Sequence, residues 1–206
     1  MLLDLIALTY KYDMKIKGVL HVGAHHGQEN KFYDFLSIKN RMFFEPLSSN
    51  FSKLKENVGE EFTLVNKALG NQNTMVEMYV EVANQGQSSS VLKPAKHLEQ
   101  YPHIQFPAKE EVEMVRLDDL EINANDFNFI NIDVQGYELE VFRGAEKTLD
   151  AIDYIMAEIN RDELYENCAK VDELIEFLGS YGFKLVETDW AGGTWGDGLF
   201  IKQNQS

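Results

Sequence analysis

Short apolar segments alternate with amphipathic ones along most of the chain. The apolar segments have the length and residue content of strands, and they span residues 18–22, 41–45, 62–66, 127–133, 153–159, 182–188 and 198–203. The amphipathic segments carry apolar residues at helical spacing, and they span 28–38, 48–57, 138–149 and 170–181. Strands that alternate with helices in this way predict βαβ units and a mainly parallel sheet.

The middle of the chain, residues 70–126, breaks this alternation. Its segment MVEMYVEVA alternates as an exposed strand does, and the polar loop NQGQSSS follows it. Three of the four prolines lie in this stretch, which sets it apart from both flanking parts. We therefore interpret residues 70–126 as a segment inserted into a single domain that spans residues 1–206.

Composition narrows the classes of partner and location. The formal net charge of −15, without a strong cluster of Lys and Arg, opposes binding to nucleic acid, whose phosphates need basic residues. The single cysteine, Cys168, cannot form an internal disulfide and suits a reducing compartment. The first 17 residues carry charges at Asp4 and Lys11 and predict a short helix, not a signal peptide. With no apolar run near the ~20 residues of a membrane span, we expect a cytoplasmic protein.

A glycine-rich turn follows the first predicted strand. The strand runs into Gly23-Ala24-His25-His26-Gly27 and then into a helix. In open α/β sheets ligands bind at the carboxyl ends of the strands, and glycine lets the backbone approach a ligand closely. The spacing G-x-x-x-G differs from the dinucleotide fingerprint, so it does not predict a pyrophosphate cradle. A plain strand-to-helix turn remains the alternative for this stretch.

Two acids lie at the ends of predicted strands. Glu45 follows the second strand, in Phe44-Glu45-Pro46, where a carboxylate can accept hydrogen bonds from both hydroxyls of a ribose. Asp133 ends an otherwise apolar strand, where a buried acid needs a partner or a function. These positions predict a nucleoside-containing ligand across the strand ends.

Four segments carry a resemblance to a known family. In this order, VLHVGAHHGQE, FFEPLSSNFSKL, VRLDDL and FINIDVQGYELEVFRGA resemble the FkbM-type family of S-adenosylmethionine-dependent methyltransferases, from about Gly18 to about Ile159. The resemblance implies a class I methyltransferase fold, an α/β three-layer sandwich with a mainly parallel seven-stranded sheet whose last strand is antiparallel. It also implies S-adenosylmethionine as cofactor and O-methylation of a sugar, glycoconjugate or related small molecule. Class I methyltransferases usually place an acid where this chain has His21; Glu29 or backbone amides are the candidates to replace it.

The residues and the resemblance together predict three groups of site residues. The predicted cofactor-binding residues lie at strand ends and are Gly23, Ala24, His25, Gly27, Glu29, Glu45, Pro46, Lys67, Ala68, Asp133, Val134 and Gln135. The predicted catalytic residues are Asp133, His25 and Glu158. The predicted substrate-binding residues are Ser89, Glu138, Asn160 and Trp190.

Several of these roles have alternatives. Methyl transfer to a hydroxyl requires removal of the hydroxyl proton. Asp133 can accept this proton directly, or it can hold a divalent ion that lowers the pKa of the hydroxyl. The direct route is favoured because the sequence shows no dense spacing of metal ligands. His25 is either a general base or a residue that shapes the loop. Glu138 either binds substrate or stabilises its helix N-terminus, and Trp190 either stacks on a sugar or packs the closing hairpin.

Two other classes of function also stay open. One is a non-catalytic module that keeps the fold and binds a partner, and the other is a nucleic-acid methyltransferase, which the negative charge disfavours. The histidines lack the i, i+4 spacing of a helical zinc pair, so no zinc site is predicted.

Overall fold

The computed structural model describes residues 2–203 and contains ten strands and six α-helices within them. The strands are, in chain order, β1 (Gly18–Val22), β2 (Asn40–Phe44), β3 (Thr63–Val65), β4 (Ala68–Leu69), β5 (Thr74–Val80), β6 (Ala108–Val115), β7 (Phe129–Ile132), β8 (Tyr154–Asn160), β9 (Phe183–Ala191) and β10 (Trp195–Lys202). The helices are α1 (Leu5–Lys11), α2 (Asn30–Phe35), α3 (Ser48–Val58), α4 (Lys96–Gln100), α5 (Glu138–Arg143) and α6 (Val171–Ser180).

Seven of the strands form one sheet in the order β3-β2-β1-β7-β8-β10-β9. The pairs β1–β2, β2–β3, β1–β7 and β7–β8 are parallel, whereas β10 is antiparallel to both of its neighbours. The mainly parallel sheet with an antiparallel last strand confirms the predicted class I methyltransferase fold. Strand order reverses between β1 and β7, which makes the crevice at their carboxyl ends the expected ligand site.

Two apolar layers cover the two faces of this sheet. Leu20 and Val22 of β1 belong to a core cluster that contains apolar residues of α5 and α6. Val19 belongs to a second cluster on the opposite face, with residues of α1, α2 and α3. Because helices cover both faces, all five residues of β1 are buried and the strand reads as nearly continuously apolar.

A three-stranded sheet, β4-β6-β5, lies in the chain between β3 and β7. It packs on the start of α3 through a cluster formed by Leu47, Ala68, Met78, Val112 and Met114. Strand β6 was not among the predicted strands, because charged residues fill its exposed face and leave few apolar positions. The inserted segment predicted at 70–126 contains β5, α4 and β6; its status as an insertion in one domain remains our interpretation.

Several element boundaries differ from the predicted ones. The predicted helix 138–149 ends early as α5, because Gly144 lies against the inserted segment: a Cβ there would be 1.8 Å from the carbonyl oxygen of Gly70. The predicted helix 28–38 is reduced to α2, and Ser37 after it has a positive φ of 57°. Among the described residues, no helix has the length and hydropathy needed to cross a membrane.

Candidate active site

The loops after β1 and β7 touch at the point where strand order reverses. The amide of Asp133 donates to the carbonyl oxygen of Val22 at 3.0 Å, which extends the β1–β7 pairing by one residue. Gly23 has a φ of +75°, and a Cβ on it would lie 1.9 Å from the carbonyl oxygen of Asp133. Glycine is therefore required here because two loops meet, whatever ligand they hold.

A first cleft opens over the ends of β1, β2 and β7 and encloses about 580 Å³ of empty space, part of it open to solvent. Nine of the predicted cofactor residues line it: Gly23, His25, Glu45, Pro46, Lys67, Ala68, Asp133, Val134 and Gln135. Apolar residues of the small sheet and its surroundings also line it, namely Leu69, Met78, Val91 and Tyr137. Polar and apolar side chains both line the cleft, as a nucleoside requires.

Glu45 holds the glycine turn to the second strand. Its side chain is 5% exposed and accepts hydrogen bonds from the amides of His25 and Leu47, both at 2.9 Å. Burial raises the pKa of Glu45 to about 7, although these amide hydrogen bonds act in the opposite direction. Each carboxylate oxygen has two lone pairs, so Glu45 retains acceptor capacity toward the cleft.

The ring of His25 connects the glycine turn to the loop 84–90. Its Nε2 lies 2.8 Å from the carbonyl oxygen of Gln85, and Gln28 Nε2 lies 2.7 Å from its Nδ1. The ring also stacks on His26 with 3.7 Å between centroids, and the backbone of His25 has a positive φ of 49°. Both ring nitrogens have partners, so the geometry favours the loop-shaping role over that of a base.

A second cleft lies on the other side of His25 and covers about 1420 Å³ of empty space, part of it open to solvent. Five residues line both clefts and form a shared wall: Gly23, His25, Gln87, Asp133 and Gln135. The second cleft adds two acids from the predicted set, Glu29 and Glu158, together with aromatic and imidazole rings from His97, Tyr101, His103 and Trp195. Trp195 is fixed there, because its indole N–H donates to the hydroxyl of Tyr101 at 2.8 Å.

Gln135 joins two carboxylates in the shared wall. Its Nε2 lies 2.6 Å from Asp133 Oδ1 and 2.8 Å from Glu158 Oε2. Burial, followed by the charge of Asp133, raises the pKa of Glu158 well above its usual value. Asp133 and Glu158 therefore form a carboxylate pair on the side of the second cleft, as the shared sheet edge predicts.

His21 takes the position where class I methyltransferases usually have an acid. It is buried, its Nδ1 lies 3.2 Å from the hydroxyl of Tyr33, and its Nε2 lies 4.0 Å from Glu29 Oε2. Burial lowers the pKa of His21, so the ring is neutral near pH 7. His21 and Glu29 both line the second cleft beside the glycine turn, and Glu29 is the acid of this pair.

None of the four predicted substrate residues lines the second cleft. Glu138 is 1% exposed and accepts the amides of Val134 and Gly136, at 3.0 and 3.1 Å. Asn160 is equally buried, and Trp190 stacks on the guanidinium of Arg161 at 3.6 Å. These contacts favour the structural roles of both residues: Glu138 stabilises the start of its helix, and Trp190 packs against a neighbouring side chain.

Two more predicted residues take other places. Ser89 lines the first cleft, on the cofactor side, and its hydroxyl accepts the amide of Glu81 at 3.0 Å. Gly27 lines neither cleft; a Cβ on it would meet side chains of α3, those of Val58 at 2.5 Å and Leu54 at 2.9 Å. Gly27 thus lets the turn pack against α3.

Sequence reasoning missed the ring-bearing wall of the second cleft. His97 and Tyr101 come from α4 and its end, and His103 follows in the same inserted segment. The available signal was the density of aromatic residues and histidines between 97 and 106. Trp195, not Trp190, is the tryptophan that joins them, which the sequence alone does not distinguish.

Known proteins with similar sequences and folds agree with this geometry. Residues 21–185 match the family described as the methyltransferase FkbM domain. The 2-O-methyltransferase NoeI of Sinorhizobium fredii (strain NBRC 101917 / NGR234) is 28% identical over 178 residues, which cover 82% of this chain and 72% of that protein.

Solved structures show the same fold at low identity. The ribosomal protein L11 methylase of Lactobacillus delbrueckii subsp. bulgaricus has a TM-score of 0.54 at 12% identity, covering 96% of this chain and 76% of that chain. The 1,6-didemethyltoxoflavin-N1-methyltransferase of Burkholderia thailandensis, solved with S-adenosylhomocysteine, has a TM-score of 0.51 at 12% identity, covering 97% and 76%. These likenesses concern the fold, whereas the family match covers most of the sequence. The chain belongs to the FkbM family of S-adenosylmethionine-dependent methyltransferases.

Proposed function

We propose that this protein methylates a hydroxyl group of a sugar, glycoconjugate or related small molecule. The observation that carries the proposal is the pair of clefts that meet at one wall, with the carboxylates of Asp133 and Glu158 on the side of the second cleft. The residues that line the first cleft suit a nucleoside, and those that line the second suit a polar acceptor. The shared wall brings the reacting groups together.

The first cleft has the residues to hold S-adenosylmethionine. Glu45 would accept hydrogen bonds from the ribose hydroxyls, and Leu69 and Met78 would offer apolar contacts to the base. Glu29 is the candidate partner of the amino acid end, at the side of the glycine turn that faces the second cleft. When bound, S-adenosylmethionine supplies an electrophilic methyl group on a positively charged sulfur.

The second cleft has the residues to activate a hydroxyl. The hydroxyl oxygen forms a bond to the methyl carbon while the carbon–sulfur bond breaks, and the hydroxyl proton passes to a carboxylate. Asp133 is the candidate acceptor of that proton, with Glu158 held beside it by Gln135. Tyr101 and Trp195 present rings of the kind that pack against a sugar.

The choice of oxygen as the methylated atom has its own support. The relative NoeI is named a 2-O-methyltransferase, and carboxylates suit the removal of a hydroxyl proton. Nucleic acid as acceptor remains disfavoured by the charge of −15. The cytoplasmic location stays a prediction from composition.

Label transfer tests the proposed reaction. Protein incubated with methyl-labelled S-adenosylmethionine and a panel of sugars and glycans should give a product whose label sits on oxygen. Label on nitrogen or carbon would contradict the proposal. The non-catalytic alternative is tested separately by calorimetric titration with S-adenosylmethionine, since a pure interaction module binds none.

The raised pKa of Glu45 predicts that cofactor affinity depends on pH. Ribose hydroxyls donate to the ionised carboxylate, whereas the ligand-free protein holds a proton on Glu45 below about pH 7. Affinity for S-adenosylhomocysteine should rise with pH through 7 and be about tenfold weaker at pH 6 than at pH 8, since the ionised fraction of a carboxyl group with a pKa of about 7 differs about tenfold between these pH values. Calorimetry at both pH values measures this ratio. The variant Glu45→Gln should bind weakly and without this slope; an equal slope would assign the dependence to another group.

The two occupied ring nitrogens of His25 predict a modest catalytic role. Asn tolerates a positive φ, so His25→Asn keeps the turn while it removes the bridge to Gln85. We expect kcat to fall by less than about tenfold and KM for the cofactor to rise. Steady-state kinetics separates the two constants. A fall in kcat of about 10²–10⁴, typical of a lost general base, would instead make His25 the base.

A further inference from the structure

Three carboxylates meet behind the wall that the two clefts share. Asp133, Glu138 and Glu158 each offer an oxygen, and these oxygens lie within 4.8 Å of one another. None of the ion pairs formed within residues 2–203 involves them. Neighbouring carboxylates that are buried without a cation lose their hydration and repel each other. A cation bound between them would relieve both costs.

Two buried oxygens, one in the cluster itself and one on the neighbouring Asn160, have no hydrogen-bond partner in the described part of the chain. One is Oε2 of Glu138, whose Oε1 is held by backbone amides of the loop after β7. The other is Oδ1 of Asn160, whose amide nitrogen lies 3.5 Å from Glu158 Oε1. A buried acceptor without a donor costs free energy, and a bound cation can satisfy it without a hydrogen.

The contacts of Tyr165 are a second indication that a cation binds here. Its hydroxyl lies 2.7 Å from the carbonyl oxygen of Ser88 and 2.8 Å from Gln135 Oε1, but it has one hydrogen for these two acceptors. A 180° turn of the Gln135 amide would offer Tyr165 a donor and direct the amide oxygen at Asp133 and Glu158. Oxygens grouped in this way are stable around a cation.

We propose that Asp133, Glu138 and Glu158 bind one divalent cation, with an amide oxygen of Asn160 or Gln135 as a further ligand. Carboxylate and amide oxygens are the ligands preferred by Mg²⁺, Mn²⁺ and Ca²⁺. Oxygens bound to one such ion at about 2.0–2.6 Å lie at most about 5.2 Å apart, and the observed spread is within 4.8 Å. Since Asp133 and Glu158 line the second cleft, the ion is reached from that side.

The cation would change how the acceptor is activated. A divalent ion lowers the pKa of a hydroxyl bound to it and positions its oxygen. This use rests on the proposed function, whereas binding of the ion does not. The two can therefore be tested apart.

Metal titration of the full chain tests the site directly. Protein treated with EDTA and then freed of it is titrated with Mn²⁺, followed by electron paramagnetic resonance, and with Mg²⁺ and Ca²⁺ by calorimetry. Glu138 also anchors backbone amides, so Asp133→Asn and Glu158→Gln carry the test. The control Glu81→Gln removes a buried charge outside the cluster, where the carboxylate accepts the amides of Asn84 and Gly86.

The expected result is one Mn²⁺ per chain, an affinity reduced about 100-fold or more in each ligand variant, and an unchanged affinity in the control. Absence of saturable binding of all three ions at about 1 mM would overturn the inference, since protein Ca²⁺ sites extend to that range. Binding that both ligand variants retain would overturn it as well.

A titration with S-adenosylhomocysteine on the same samples separates this inference from the proposed function. If the nucleoside binds and no metal does, the metal site alone is wrong. If metal binds and the nucleoside does not, the proposed function alone fails.

Discussion

We expect Asp133→Asn to lower kcat by about 10²–10⁴ while affinity for S-adenosylhomocysteine stays nearly unchanged. Asp133 lies in the wall between the clefts, and its Oδ1 accepts from Gln135. Asn has the same size and can accept that hydrogen bond through its own Oδ1. It cannot take a proton, and its neutral oxygen binds a cation weakly. The chemical step should fail while the loop and the cofactor cleft persist.

Labelled methyl transfer to the accepted substrate gives kcat, and calorimetry gives the affinity. Asp119→Asn is the matched control, because Asp119 contacts Asn73 and Arg116 and lines neither cleft. Near-full turnover in Asp133→Asn would remove this residue from the mechanism and leave Glu158 as the next candidate. An equal loss of nucleoside affinity would assign Asp133 to cofactor binding instead of chemistry.

Gly23→Val should reduce both stability and cofactor binding. Its backbone φ of +75° costs an L-residue about 1–2 kcal/mol, and overlap with the carbonyl of Asp133 adds about 1–3 kcal/mol. For a chain of this size the melting temperature should fall by roughly 5–20 °C. Thermal unfolding followed by circular dichroism measures the change. Relief of the overlap must move one of the two loops that form the clefts, so nucleoside affinity should fall too.

Gly23→Ala separates two possible reasons for the loss of stability and cofactor binding in Gly23→Val. If the branched side chain merely blocks the cofactor, Ala should be mild; if Cβ itself collides with Asp133, Ala should keep most of the effect. Gly179→Ala is the control, since a Cβ on this α6 residue meets nothing within 4 Å. Alanine also has a higher helix propensity than glycine, so this variant should not be destabilised. A stable, nucleoside-binding Gly23→Ala protein would contradict the geometry described for the two loops.

The central strands of the main sheet, β1, β2, β7 and β8, could be predicted because each is short, mostly apolar and almost fully buried. Strand β6 could not, since charged residues fill its exposed face and its pairing with β5 is set by tertiary contacts. The end of α5 was also beyond the sequence pattern. Its apolar spacing continues to Leu149, but the backbone of Gly70 crosses at Gly144.

Positions at strand ends were the predictable part of the site. Gly23, Glu45 and Asp133 follow adjacent parallel strands, so a common edge brings them together. Roles that depend on long-range contacts were not predictable. The tryptophan that lines the second cleft is Trp195 because Trp190 is covered by Arg161, a contact that no local pattern encodes.

A crystal structure of the complex with S-adenosylhomocysteine tests the central claim most directly. Both ribose hydroxyls should lie within hydrogen-bond distance of Glu45, at about 2.5–2.7 Å. The sulfur should face the wall formed by Asp133 and Gln135, with the second cleft beyond it. A ribose bound away from Glu45, or a sulfur directed away from the second cleft, would contradict the account.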